Sequence, residues 1–228
     1  VSALILPLSS AKALMRSLSA RHVKFPAFAA GALSGELARG DFERRFADFV
    51  DEIVGFEANR AFASFEDPHI RARSRRLARL NSEFMNACTR LHALHQLVKR
   101  LRANRSDAVL DALAPHVDGL ARRITALRDE RQRGIASTTG ALLELRRFHG
   151  ALPKAARASR RALEDHAAGG LLDFDTAIEL MYRFIGEYVG YADTYASLDR
   201  DDHAFERSVT RYAVKTNSFF VGFAFLRT

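Results

Sequence analysis

The chain has 228 residues, 48% apolar and 27% charged, values that exclude a disordered, collagen-like or mucin-like chain and leave enough length to bury a core. Its single cysteine, Cys88, excludes an intramolecular disulfide and a zinc-ribbon site and fits a reducing compartment. A formal charge of +8, from 35 Lys and Arg against 27 Asp and Glu, points to an anionic partner: nucleic acid, a membrane surface or acidic small molecules.

The chain opens at Val1 with the apolar run Val1–Leu8, and it closes with another, Phe219–Leu226. Neither reaches the roughly 18 consecutive apolar residues of a membrane-crossing helix, and no signal peptide is legible. Residues 1–35 carry Lys12, Arg16, Arg21 and Lys24 and no acid; residues 206–228 carry Arg207, Arg211, Lys215 and Arg227 against Glu206. Basic residues beside apolar stubs are the signature of a cytoplasmic side. Two readings of the ends stand side by side: ordinary terminal segments tucked onto the core, or a soluble loop domain between two membrane spans, with membrane-proximal segments at 1–20 and 218–228 and a helical domain over 21–217.

Between the ends, apolar residues recur at steps of three and four, and alternating strand-like runs are absent. After a cap at Asp41, the series Phe42, Phe46, Phe49, Ile53, Phe56, Arg60 marks one buried seam whose last member is an arginine. Glu66-Asp67-Pro68 breaks it, because proline disfavours helix in the residue before it and suits a first turn. A long helix then runs from Pro68 to about Arg105 through Leu77, Leu80, Phe84, Ala87, Leu91 and Leu94. Ser106-Asp107 caps the next, to about Arg133, with a kink expected before Pro115. A fourth spans about Thr138 to Ala168, closed by Gly169-Gly170, and a fifth opens at Asp173 or Asp175 and runs through Tyr195 to Leu198. The fold expected is all-α, an elongated antiparallel bundle of about five to six long helices.

Several groups could carry chemistry. His92 and His95 lie three apart on one helix but lack further ligands, Glu66 and His69 form a lone Glu-x-x-His with Pro68 inside it, and Asp199, Asp201, Asp202 and His203 read as a solvated turn. No metal, cofactor or enzymatic activity is expected. Cys88, one place from a seam, reads as a small buried hydrophobe. The stripe Phe184, Tyr188, Tyr191, Tyr195 suits either a packed seam or a flat ligand. Gly31/Gly35 and Gly186/Gly190 are small-residue pairs that suit close helix contacts.

Two features stand out. Residues 69–105 hold ten basic residues against one acid, Glu83; the helix is either a solvated face paired with acids of neighbouring helices or a contact surface for an anionic ligand or lipid, for which Arg71, Arg73, Arg75, Arg76 and Arg79 are the candidates. Nucleic acid fits less well, because interleaved aromatics and a recognition-helix motif are missing. The second feature is Arg60. A guanidinium on an apolar seam needs carboxylates, and Glu57, Glu66 and Asp67 are the ones within reach, which predicts an ion-pair knot at the hinge between two helices.

The run Gly55-Phe-Glu57-Ala-Asn-Arg60, then Phe65-Glu66-Asp67-Pro68, Arg71-Ala-Arg73-Ser74, Leu80-Asn81-Ser-Glu-Phe84 and Leu91-His92-Ala-Leu-His95, resembles the fusaric acid resistance (FUSC) family of bacterial inner-membrane exporters. In that family a long cytoplasmic helical domain follows a first membrane block and precedes a second. Glu57 and Arg60 match its E-x-x-R helix; Phe65, Glu66 and Pro68 match the turn after it. The resemblance implies a cytoplasm-facing domain of an aromatic carboxylic acid exporter, joined to the membrane blocks of the same polypeptide, often working with a periplasmic adaptor, and assembling a homo-oligomer, gating, or presenting an entry surface to substrate. The rival reading from the residues alone is a free-standing helical protein that binds nucleic acid or anionic membrane through its arginine-rich helix.

Overall fold

The computed structural model describes residues 10–132 and 140–198. Among them the regular structure is helical throughout: α1 Ser10–Ser34, α2 Arg39–Glu66, α3 Pro68–Ala72, α4 Ser74–Ala103, α5 Asp107–Gln132, α6 Gly140–Ala167 and α7 Leu171–Ala196, with a single 3₁₀ turn, Ala168–Gly170, before the last. Six of these are long. At 1.5 Å per residue they run about 38–45 Å, the elongated all-α bundle expected from the periodicity.

Helix α4 is the spine. Leu77, Leu80, Phe84, Ala87, Leu91 and Leu94 repeat at 3,4,3,4,3 and are all buried, which is the stripe a helix needs to be covered along its length. Each such side chain stabilises the fold by roughly 1.5–3 kcal/mol for the larger residues. α7 lies antiparallel along α4: Arg100 near the end of α4 pairs with Asp173 at the start of α7 at 2.6 Å, while Arg76 at the start of α4 reaches the Ser197 carbonyl just beyond α7 at 2.7 Å. α2 is antiparallel to α4 on another side, since Phe42 stacks on His95 and Asn81 bonds the Ile53 carbonyl. α1 lies between α2 and α5, and α6 closes the bundle against α5 and α7.

The order of elements follows the sequence signals, with local differences. α2 starts at Arg39, with Ala38 as its cap residue and Asp41 inside the first turn, bonded to Arg44. Pro68 opens α3 as expected, but the helix does not continue unbroken to 105. At Arg73 the backbone turns to φ −95° and ψ 4°, and α4 begins one residue later. α1 also extends the bundle at its start. It opens at Ser10, and Leu14 and Leu18 are buried in the same core as the rest, so the boundary expected at residue 20 falls inside a helix. The boundary at 217/218, both apolar ends and the Asp199–His203 group lie outside the described residues.

Two helix ends use the left-handed region. Gly35, at φ +77°, ends α1 and lets the chain turn back so that the Leu37 amide bonds the Gly31 carbonyl and the Leu37 side chain caps the last turn. Glycine is the residue that adopts this φ without steric penalty. Arg105 does the same after α4 at φ +52°, with the Ser106 amide bonding the Leu101 carbonyl.

Candidate functional site

The hinge below Arg60 is built from three helices. Arg60 sits half-buried on α2 and donates through Nε at 3.0 Å and Nη2 at 2.6 Å to Glu57 Oε2, one turn earlier. Its Nη1 turns outward to the start of α4, to the Ser74 hydroxyl and carbonyl. The other Glu57 oxygen accepts from Asn81 Nδ2 at 3.0 Å. Asn81 also donates to the Ile53 carbonyl at 3.2 Å, and its Oδ1 accepts from Arg21 Nη1 of α1 at 2.9 Å. A continuous polar chain, Arg21–Asn81–Glu57–Arg60–Ser74, therefore ties α1, α4 and α2 together.

Glu66 and Asp67, the other carboxylates expected around Arg60, do not join it. Six residues along a helix turn about 240° and rise about 9 Å, which carries Glu66 off the Arg60 face. Glu66 is exposed, and Asp67 Oδ1 instead accepts from the His69 amide at 2.8 Å as the cap of α3. Asp67 thus satisfies one of the orphan amides of a helix start.

The arginines of 71–79 do not form one surface. Arg71 folds back and donates to the Ser64 and Phe65 carbonyls, both at 2.9 Å, capping the end of α2. Arg76 is buried and holds the Ser197 carbonyl at the end of α7. Arg79 donates to Glu83 Oε1 at 2.6 Å, and the other oxygen of buried Glu83 accepts from Thr194 Oγ1 of α7 at 2.7 Å. Arg73 lies at the α3–α4 joint and Arg75 is exposed. Three of the five candidate anion contacts are therefore engaged in helix–helix joints. α7 covers the face of α4 that carries Arg76 and Arg79, which the charge count along the sequence could not show.

Burial is the largest influence on Glu83, raising its carboxyl above the usual carboxylate range; the Thr194 and Arg79 bonds and the Arg79 charge oppose it. A folded-state value raised in this way stabilises the protein below the unfolded value near 4.5, and that stability is lost as pH rises through the folded value. Glu83→Gln mimics the protonated form. The difference in melting temperature, variant minus wild type, is expected to become more positive between pH 4.5 and 7 in a series of thermal melts; a difference independent of pH would refute the assignment.

The sequence reading missed the group that lies deepest. Leu14, Leu18, Arg21, Phe25 and Phe28 repeat at 4,3,4,3 on α1, so Arg21 takes a place on an apolar seam just as Arg60 does, a signal legible in the sequence. Arg21 is 2% exposed. Its guanidinium lies over the rings of Phe84, at 4.4 Å, and Phe56, at 4.9 Å. Its Nε and Nη2 have no hydrogen-bond partner among the described residues. Next to it, His22 is equally buried, stacks on Tyr195 at 3.9 Å and has both ring nitrogens unbonded among the described residues. The rest of the tyrosine stripe, Phe184, Tyr188 and Tyr191, belongs to this aromatic core. Burial pushes both tyrosine hydroxyls upward.

The remaining candidates have structural places. Cys88 is buried, which pushes its thiol well above the ordinary range. His92 and His95 act as flat aromatic surfaces, stacked on Phe46 and Phe42 at 4.2 and 3.8 Å, and His92 also approaches Glu43 at 3.6 Å. At Gly190 an added Cβ would stand 3.2 Å from Glu83 Oε1, so the lack of a side chain there lets α7 approach the buried carboxylate. No group of three or more metal-ligating side chains occurs among the described residues. No helix among them is long and apolar enough to cross a membrane.

Comparison with known proteins places this architecture. The profile of the fusaric acid resistance protein family matches residues 1–228. The fusaric acid resistance protein FusC of Burkholderia cepacia is 43% identical over 228 residues; the match covers 100% of this chain and 65% of that protein. The chain thus spans about two-thirds of the length of this relative. No solved structure matches it. With the whole of its sequence matched by the family's profile, the chain belongs to the fusaric acid resistance protein (FUSC) family.

Proposed function

We propose that this chain is the cytoplasm-facing helical domain of a bacterial inner-membrane exporter of aromatic carboxylic acids, continuous with the membrane blocks of the same polypeptide and working with a periplasmic adaptor. The observation that carries this reading is the 43% identity, across the full chain, with a protein named for fusaric acid resistance. Among the three roles open to such a domain, the packing supports assembly and coupling over substrate entry. An entry surface would need arginines free to form planar, bidentate contacts with carboxylates. Here Arg71, Arg76 and Arg79 are committed to the ends of α2 and α7 and to Glu83. The same commitment weighs against the rival reading, binding of nucleic acid or anionic membrane through this helix.

Expression of the full-length protein in a fusaric-acid-sensitive bacterium, with tolerance measured over a panel of aromatic acids, tests the reading. The expected result is higher tolerance and faster efflux of preloaded acid from de-energisable cells. Unchanged tolerance to every acid of the panel, with the protein present in the membrane fraction, would overturn it. Arg73→Gln with Arg75→Gln, which removes the two arginines of the run not bound at helix joints, is expected to leave tolerance unchanged. A loss there at normal protein level would restore the substrate-entry role.

A further inference from the structure

Helices α1 and α2 run antiparallel, since their contacts step backwards along one as they step forwards along the other: Arg21 lies over Phe56, Lys24 approaches Glu52 and Phe28 packs on Phe49. Beside Phe28 and Phe49 the two helices part around a cleft of about 500 Å³, a volume within the range of small-molecule sites. Phe28 and Phe49 form its floor, and the small side chain of Ala27 leaves room on the α1 side. The rim is charged. Arg45, Asp48 and Glu52 stand at steps of three and four on α2 and so share the face turned to α1, and Lys24 meets them from α1.

These charges are not spent on one another. Arg45 and Asp48 are exposed and have neither an ion-pair nor a hydrogen-bond partner among the described residues. The base precedes the acid here, which is the poorer order for a pair on one helix; Arg44, which follows Asp41, does pair with it at 3.0 Å. Glu52 meets Lys24 through Oε1 at 3.9 Å, beyond hydrogen-bond distance. Its Oε2 is enclosed and has no hydrogen-bond partner among the described residues. A carboxylate oxygen held out of water is stabilised by any donor brought to it.

We propose that this cleft binds a free α-amino acid with a large apolar side chain. The proposal goes beyond the export reading and does not depend on it. The signs of the charges select the ligand class. The rim carries two cations, Lys24 and Arg45, and two carboxylates, Asp48 and Glu52. A simple anion drawn to Arg45 is repelled by Asp48 and Glu52, and a simple cation is repelled by Arg45 and Lys24; a ligand that carries both charges satisfies both sides. The spacing selects the head group. Arg45 and Asp48 are three residues apart, about 4.5 Å along the helix axis, so a carboxylate and an ammonium on one carbon are taken together. The planar guanidinium of Arg45 holds the carboxylate, and Asp48 and the unbonded oxygen of Glu52 accept from the ammonium. The side chain of the ligand then lies on Phe28 and Phe49, where burial of its apolar surface adds to the affinity.

The test is equilibrium dialysis of the full-length protein in detergent against radiolabelled L-phenylalanine, with 3-phenylpropanoate and phenethylamine as competitors. Each competitor keeps the ring and one of the two charges. The expected result is saturable binding of phenylalanine, displaced fully by the unlabelled amino acid and by neither competitor at the same concentration. Arg45→Gln and Asp48→Asn should each weaken binding about tenfold or more, the loss of one charge-assisted contact. Both side chains are exposed and unbonded, so both variants are expected to melt within about 2 °C of the parent. Lack of saturable binding would overturn the proposal, as would binding that both variants retain, which would put the amino acid elsewhere in the polypeptide. Displacement by 3-phenylpropanoate as effective as by phenylalanine would show a carboxylate site and overturn the class proposed here. Acid tolerance is a separate readout, so the export reading stands or falls without this site.

Discussion

Asn81→Ala is expected to destabilise the folded protein by about 3 kcal/mol or more, a fall of about 6–12 °C in melting temperature for a domain of this size. The reason lies in what Asn81 serves. Its Oδ1 is the hydrogen-bond partner of a guanidinium that is 2% exposed, and its Nδ2 bridges the Ile53 carbonyl and Glu57. Alanine leaves Arg21 as a buried cation beside the faces of Phe56 and Phe84 and the neutral Tyr191 hydroxyl, and it removes the link through which the Glu57 carboxylate is coupled to that charge. Stranding one partner of a buried polar pair is far more damaging than removing both.

Arg21→Met supplies the contrast. Methionine fills much of the same space among the rings of Phe56 and Phe84 and needs no counter-ion, so this variant is expected to melt within about 3–6 °C of the wild type, a difference of about 1.5 kcal/mol or less. In the Arg21→Met background, Asn81→Ala should then have a much smaller effect than it has alone. Thermal unfolding of the four proteins in this cycle reads the coupling directly. Additive effects would show that Arg21 and Asn81 are neighbours without being partners, and the polar chain across α1, α4 and α2 would lose its middle link.

The contrast between Arg60 and Arg21 shows what could be read in the sequence. Both occupy an apolar seam at helical spacing, so both announce a buried or half-buried guanidinium. The Arg60 pairing with Glu57 was legible because its partner stands three residues away on the same helix, where i,i+3 neighbours meet. Arg21 finds Asn81 60 residues later, on a helix whose position beside α1 depends on how α2 folds back. Nothing local records that. The arginine run shows the same limit in another form: its charge density is a property of the sequence, but whether each guanidinium meets solvent or a carbonyl depends on α7. Helix count, helix direction and the Pro68 break are set by periodicity, proline and short connections, which are local.

His22 makes the acid limit of stability a property of this core. Burial first, and the nearby charge of Arg131 second, hold its ring down to about 3 from an ordinary 6.5. The groups around it are Tyr191 and Tyr195 of α7 and Arg131 of α5, none of which offers a negative charge to an imidazolium. With the folded value below the unfolded one, the unfolded chain takes up the proton first, and stability falls as pH drops below about 6.5. This one residue accounts for a loss of about 2 kcal/mol by pH 5 and about 3 kcal/mol by pH 4. His95, His116 and His149 are lowered by burial as well and act in the same direction. His22→Phe keeps the flat stack on Tyr195 and removes both unbonded ring nitrogens. Its melting temperature at pH 7.5 is expected to equal or exceed that of the wild type, and at pH 5 to exceed it by about 4–8 °C. Thermal melts of the two proteins from pH 7.5 to pH 4 decide the matter. If both lose stability with the same slope, His22 takes up its proton without opening the core, and the acid sensitivity has to be sought in His95, His116 and His149 instead.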